Sequence, residues 1–93
     1  MKYQVIPTSR FKKEYKLAIK RGCKIEKLHT AVELVANGSE LPESLRDHEL
    51  KGKWLGHREL HIEGDWLLIY QIKENALVLE LTRTGSHADL FGK

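Results

Sequence analysis

Four of the five histidines of this 93-residue chain, His48, His57, His61 and His87, fall in its second half, interleaved with Asp65 and Arg83. Histidine is the side chain whose ordinary pKa, about 6.5, lets it both take and give a proton near neutrality. An arginine beside histidines suits metal-free cutting of RNA. In that chemistry a 2′-hydroxyl attacks the neighbouring phosphate while one group removes its proton. A second group protonates the leaving 5′-oxygen, and a cation steadies the extra negative charge. Each positioned proton-transfer group contributes about 10²–10⁴-fold. Arg83 suits the cation, because guanidinium is always charged and forks onto phosphate oxygens. His48, His61, His87 and Asp65 are the acid–base candidates.

Other readings of the same residues stay open. His57-x3-His61 has ligand-like spacing for zinc, but on a strand that spacing does not bring the rings together, and no cysteine pair completes a set. A magnesium nuclease needs clustered carboxylates, and the acids here are scattered. No metal and no cofactor is expected. His57 has no evident role beside Arg58, and His29 reads as surface. Trp54 and Trp66 read as core anchors.

The elements that must position these groups follow from periodicity. Residues 2–6 form a first strand that Pro7 ends, and Thr8 or Ser9 caps a helix. Phe11, Tyr15, Ala18 and Ile19 recur at helical spacing, and Gly22 stops the helix. Ile25, Leu28, Val32 and Val35 mark a second helix ending at Asn37-Gly38, so the two pack as a hairpin. From residue 48 the period becomes two. His57, Glu59 and His61 share one strand face, and Arg58, Leu60 and Ile62 the other. Glu63-Gly64 turns the chain into a central strand, Trp66 to Ile72, buried on both faces. After Glu74-Asn75, Leu77, Leu79 and Leu81 line a last strand. Ser86-x-x-Asp89 resembles a capping box and predicts a short terminal helix, on which His87 and Phe91 share a face. There an aromatic ring could stack on an unpaired base.

A strand, two helices and three or four strands joined by short turns predict an α+β fold. Its antiparallel sheet carries the helix hairpin on one face and leaves the other face free for polar chemistry. His61 and Asp65 flank one turn, and Arg83 and His87 bracket Gly85, so strand ends can bring them together.

Length and composition set the class. The chain is one domain, residues 1–93, with 41% apolar and 31% charged residues and a net charge of +3. No run of about 18 apolar residues predicts a membrane span. The N-terminus lacks the apolar core of a secretion signal, and the single Cys23 suits a reducing cytoplasm. Arg10, Lys12, Lys13, Lys16, Lys20, Arg21, Lys24 and Lys27 face only Glu14 and Glu26 between residues 10 and 27. Such a block favours a polyanion or an acidic protein partner.

Two stretches carry a resemblance. They are Asp47-His48-x-Leu50-x-Gly52-x-Trp54-x-Gly56-x-Arg58-Glu59-x-His61-Ile62-x-x-Asp65-Trp66-Leu67-Leu68-Ile69-Tyr70 and Arg83-Thr84-Gly85-Ser86-His87-Ala88-Asp89-Leu90-Phe91. Together they resemble the YafQ branch of the RelE/ParE toxin superfamily, and the length and two N-terminal helices match as well. The departures are Gly64, where proline is common, and Ser86, where threonine is common. The resemblance implies a type II toxin, an endoribonuclease that cleaves translated messenger RNA in the ribosomal decoding site. It also implies a cognate antitoxin with an acidic wrapping segment, a monomeric free toxin and a hetero-oligomer with the antitoxin. Its functional positions fall on His48, His61, Asp65, Arg83, His87 and Phe91. In the roles expected, His87 is the general acid, Arg83 binds the scissile phosphate, and Asp65 with His61 activates the 2′-hydroxyl. His48 binds phosphate or assists the base, Phe91 positions a base, and Lys13, Lys16 and Lys20 meet ribosomal RNA. Two competing functions keep different classes in play: a ParE-like toxin that inhibits DNA gyrase without hydrolysis, and a plain RNA-binding module.

Overall fold

Pro7 closes the first strand, β1 (Gln4–Pro7), and Thr8 opens the first helix, α1 (Ser9–Lys20). The structure, a computed structural model, describes residues 1–92. Oγ1 of Thr8 accepts the Phe11 N–H at 3.0 Å and donates to the Thr82 carbonyl at 2.8 Å, so one hydroxyl caps the helix and ties it to the last strand. Phe11 and Ala18 are buried, but Ile19 is 53% exposed, unlike the expectation. At about 100° per residue Ile19 lies about 80° from the Phe11 axis, on the margin of the apolar stripe. Gly22, at φ +79°, makes the left-handed turn into α2 (Ile25–Ala36).

The remaining elements are β2 (His48–Glu49), β3 (Arg58–Glu63), β4 (Trp66–Lys73), β5 (Val78–Gly85) and α3 (His87–Phe91). The five strands form one sheet in the order β1-β5-β4-β3-β2. Successive strands from β2 to β5 are antiparallel, as short turns dictate. The first strand departs from the expected all-antiparallel sheet: β1 runs parallel to β5, from Gln4 opposite Val78 to Pro7 opposite Leu81. Both helices and three strands separate this pair, so no turn fixes its direction.

The helix hairpin covers one face as expected. Phe11, Ala18, Leu28, Ala31 and Val35 meet Leu60, Ile62, Leu68, Tyr70, Leu79 and Leu81 there. Fully burying a leucine or isoleucine contributes about 1.5–3 kcal/mol, and Leu60, Leu68 and Leu79 are at most 1% exposed. Leu77 does not join this row. Its N–H closes a tight turn onto the Glu74 carbonyl at 3.2 Å, and it sits at φ +52°, 51% exposed. The opposite face is not bare either. Leu67, Ile69 and Leu90 form a second, smaller core against Leu50, Trp54 and Phe91. This second core docks α3 onto the sheet beside the histidines.

Candidate active site

Strand alternation places Leu60 and Ile62 in the helix-side core, so Glu59 and His61 project to the other face. His48 lies directly across from Glu59 in the β2–β3 ladder. The β3–β4 register slips between His61 and Glu63, a bulge of the kind that re-aims side chains beside functional sites. The capping box of α3 forms as expected: the Asp89 N–H donates to Ser86 Oγ at 3.1 Å, and the Ser86 N–H to Asp89 Oδ2 at 3.0 Å. This box fixes the first turn of α3 and with it His87.

The outcome is a row of rings. His48 and His61 centroids are 6.2 Å apart, His61 and His87 5.9 Å, and His87 and Phe91 6.3 Å. Four of the predicted site residues therefore stand side by side, and Asp65 joins them through His87. Its carboxylate accepts the His87 backbone N–H at 3.2 Å and is hydrogen-bonded to His87 Nδ1. An ionised carboxylate can only accept, so Nδ1 carries the proton and Nε2 is left to exchange one. The hydrogen bond from the His87 ring, followed by that from its N–H, holds the Asp65 carboxyl below its ordinary value. Asp65, expected to act with His61, is joined to His87 instead.

His48 is held at both nitrogens. Nδ1 lies 2.8 Å from the Arg46 carbonyl, and Nε2 lies 3.4 Å from Oε1 of Glu59. Both partners are oxygen atoms, one a backbone carbonyl and the other a buried carboxylate. Glu59 is only 4% exposed and was given no role from sequence. Its place in one row with His61 was the available signal. Glu59, His61 and His87 each offer a ligand atom within 4.8 Å of the others, a trio able to hold a metal ion. His57, half of the spacing considered for zinc, is not in that trio. It packs edge-on against Trp54 at 5.4 Å, with Nδ1 buried and unpartnered.

Arg83 is where the structure departs most from expectation. It is 7% exposed and bound to Glu14 of α1, with Nη2 to Oε2 at 2.6 Å and Nε to Oε2 at 3.1 Å. Nη2 also approaches the Asp89 carbonyl of α3 at 3.4 Å. The guanidinium ties α1 to α3, and it lines a cavity with Asp65, Gly85 and Ser86. Lys13, Lys16 and Lys20 are exposed on α1, which packs in the helix-side core, away from the face that carries the rings.

Residues 3–92 match the sequence model of a family described as the bacterial toxin of a type II toxin–antitoxin system, YafQ. The chain belongs to the YafQ toxin family. It is 42% identical over 86 residues to the mRNA interferase toxin YafQ of Escherichia coli strain K12, an alignment covering 91% of each chain. The toxin in the crystal structure of the E. coli DinJ–YafQ toxin–antitoxin complex superimposes with a TM-score of 0.88 at 38% identity, covering 99% of this chain and 100% of that one. A metal-bound toxin from Helicobacter pylori gives a TM-score of 0.91 at 36% identity, covering 96% and 99%. The YafQ-type fold, an α+β layer with a mixed five-stranded sheet, is thus shared along nearly the whole chain.

Proposed function

We propose that this toxin is an mRNA interferase, an endoribonuclease that cuts messenger RNA on the translating ribosome by metal-independent acid–base chemistry. The observation that carries this reading is the row His48–His61–His87–Phe91, with Asp65 fixing the His87 tautomer. In the reaction, His61 takes the proton of the 2′-hydroxyl as that oxygen attacks the adjacent phosphorus. The bond from phosphorus to the 5′-oxygen then breaks as His87, entering the step with both ring nitrogens protonated and its Nδ1–H held by Asp65, gives the Nε2 proton to the departing oxygen. The products are a 2′,3′-cyclic phosphate and a 5′-hydroxyl. His48, with Nε2 presented beside Glu59 and His61, contacts the phosphate or assists the base. Arg83, paired with Glu14, holds α1 to α3 beside the row. Phe91 gives a base a flat surface one helical turn from the general acid.

The E. coli relative was solved with DinJ, which supports a cognate antitoxin as this toxin's silencing partner, in a hetero-oligomer that replaces a monomeric free toxin. Translating ribosomes place the activity in the cytoplasm, and no described helix is long and apolar enough to cross a membrane.

Translating ribosomes incubated with the toxin, followed by mapping of mRNA 5′ ends, test the reading. His87→Gln is expected to lower the cleavage rate about 10²–10⁴-fold in a folded protein, and EDTA is expected to leave the wild-type rate unchanged. Loss of cleavage in EDTA would reject the metal-free mechanism. Inhibition of DNA gyrase without any mRNA cleavage would replace the nuclease with a binder.

A further inference from the structure

Asp47 precedes His48 and lies outside the row of rings, yet its carboxylate is fastened to the sheet near that end of the site. Its Oδ2 accepts Arg58 Nε at 3.0 Å, and its Oδ1 accepts the hydroxyl of Tyr70. Arg58 and Tyr70 are direct cross-strand partners on β3 and β4. Tyr70 is 1% exposed, so the anchor is the middle of the sheet. Burial and then the Asp47 hydrogen bond push the Tyr70 hydroxyl above its ordinary pKa. Burial opposes the Arg58 charge, but the Asp47 hydrogen bond and charge outweigh it and raise that pKa as well. Both partners therefore stay donors at neutral pH.

The chain around this anchor is bent. Arg46 sits at φ +49°, a left-handed conformation that costs a non-glycine residue free energy and persists only where contacts hold it. That bend turns the Arg46 carbonyl toward His48 Nδ1. Residue 47 thus stands between the carbonyl that holds the ring and the ring itself.

We propose that Asp47, fastened to Tyr70 and Arg58, is a positioning residue that fixes the orientation and Nδ1–H hydrogen bond of His48. The proposal rests on the reading of His48 as part of the RNA-cutting site. Asp47 touches no substrate. It acts by pinning residues 46–48 to the sheet, so that Nδ1 meets Arg46 and Nε2 is presented beside Glu59 and His61. Displacement of a reacting group by about 1 Å costs up to about 10²-fold in rate. Losing the anchor should therefore show in turnover and leave binding intact.

The test compares wild type, Asp47→Asn, Tyr70→Phe, His48→Ala and the Asp47→Asn/His48→Ala double variant on programmed ribosomes, with melting curves to establish folding. Asp47→Asn is expected to lower kcat about 10-fold or more with KM within about twofold. Tyr70→Phe, which keeps the buried ring, should act in the same direction. In the His48→Ala background Asp47→Asn should cost nothing further, because residues acting through one another are non-additive. Nitrogen-15 NMR of the His48 ring should show the Nδ1–H resonance weakened in Asp47→Asn. A full additional loss in the double variant, or an unchanged His48 ring spectrum, would overturn the proposal. Should His48→Ala cut at the wild-type rate, His48 has no part in cleavage, and the ring spectrum alone then decides whether Asp47 positions it.

Discussion

Arg83 and Glu14 show how one pair of residues separates a structural role from a catalytic one. Their side chains are 9% and 16% exposed and meet at 2.6 Å. Removing one partner of an enclosed ion pair strands the other, at a cost of about 3–5 kcal/mol. The Glu14 carboxylate has a second task, since Oε1 accepts the Thr84 N–H at 3.1 Å. Arg83→Ala and Glu14→Ala are therefore each expected to lower the melting temperature markedly, and the double variant to lower it by less than the sum. Thermal melts of the three variants check this. If Arg83 instead gripped the scissile phosphate, Arg83→Ala would abolish cleavage at an unchanged melting temperature, and Glu14→Ala would leave the rate alone. Glu59 is the complementary case: a carboxylate 4% exposed, with His48 Nε2 3.4 Å away. His48→Ala would leave Glu59 buried without that partner, so this variant is also expected to melt earlier than wild type.

The five-residue helix α3 carries two of the six predicted site residues that the family resemblance singled out, and it is held by few contacts. Asp89 caps its N-terminus and also receives Arg21 Nη1 at 2.7 Å. The hydrogen bond from Arg21, then that from the Ser86 N–H, lowers the Asp89 carboxyl to about 2. A depressed carboxylate stabilises the fold fully above its unfolded value, about 3.9. That contribution is lost as pH falls through about 4 to about 2. Hydrogen exchange should thus show α3 loosening in that window before the sheet does, and Asp89→Asn should reduce the pH dependence to the part carried by Asp65, whose carboxyl His87 of α3 also holds below its ordinary value. Gly85 adds a steric constraint, because a Cβ there would lie 2.9 Å from Cβ of Asp89. Gly85→Ala is expected to push α3 outward, lowering the melting temperature and lowering kcat about 10-fold or more through displaced His87. An unchanged rate would show that α3 absorbs the shift without moving the ring. Sequence revealed α3 because a capping box is a local pattern, and strand alternation put Glu59 and His61 on one face for the same reason. What it could not reveal depends on distant partners. The carboxylate that claims Arg83 is 69 positions away, and the one that claims His87 is 22. The parallel direction of β1 and the exposed, left-handed Leu77 likewise depend on how the whole sheet closes.

Charge is distributed over the molecule in two distinct ways. Arg21, Lys27, Arg58, Lys73 and Arg83 are each paired with a carboxylate. Lys13, Lys16 and Lys20 form no ion pair among the described residues and are exposed on α1. Unpaired surface lysines raise the local potential and draw in polyanions, with the attraction screened over about 8–10 Å at physiological salt. Because α1 packs on the sheet face opposite the rings, the proposed contact with ribosomal RNA lies apart from the proposed cutting site. Affinity and chemistry are then separable by mutation. Binding to phosphates releases counterions, so log K falls with log salt by about 0.7–0.9 per neutralised phosphate. Replacing Lys13, Lys16 and Lys20 together by glutamine should flatten that slope by about 2–3 units, and cleavage on ribosomes saturated with toxin should keep its rate. His87→Gln should do the reverse, leaving the salt slope intact while removing the cut. Ribosome sedimentation at several salt concentrations, paired with single-turnover cleavage at saturating toxin, measures both quantities. An unchanged slope in the triple lysine variant would move the ribosome-facing surface off α1.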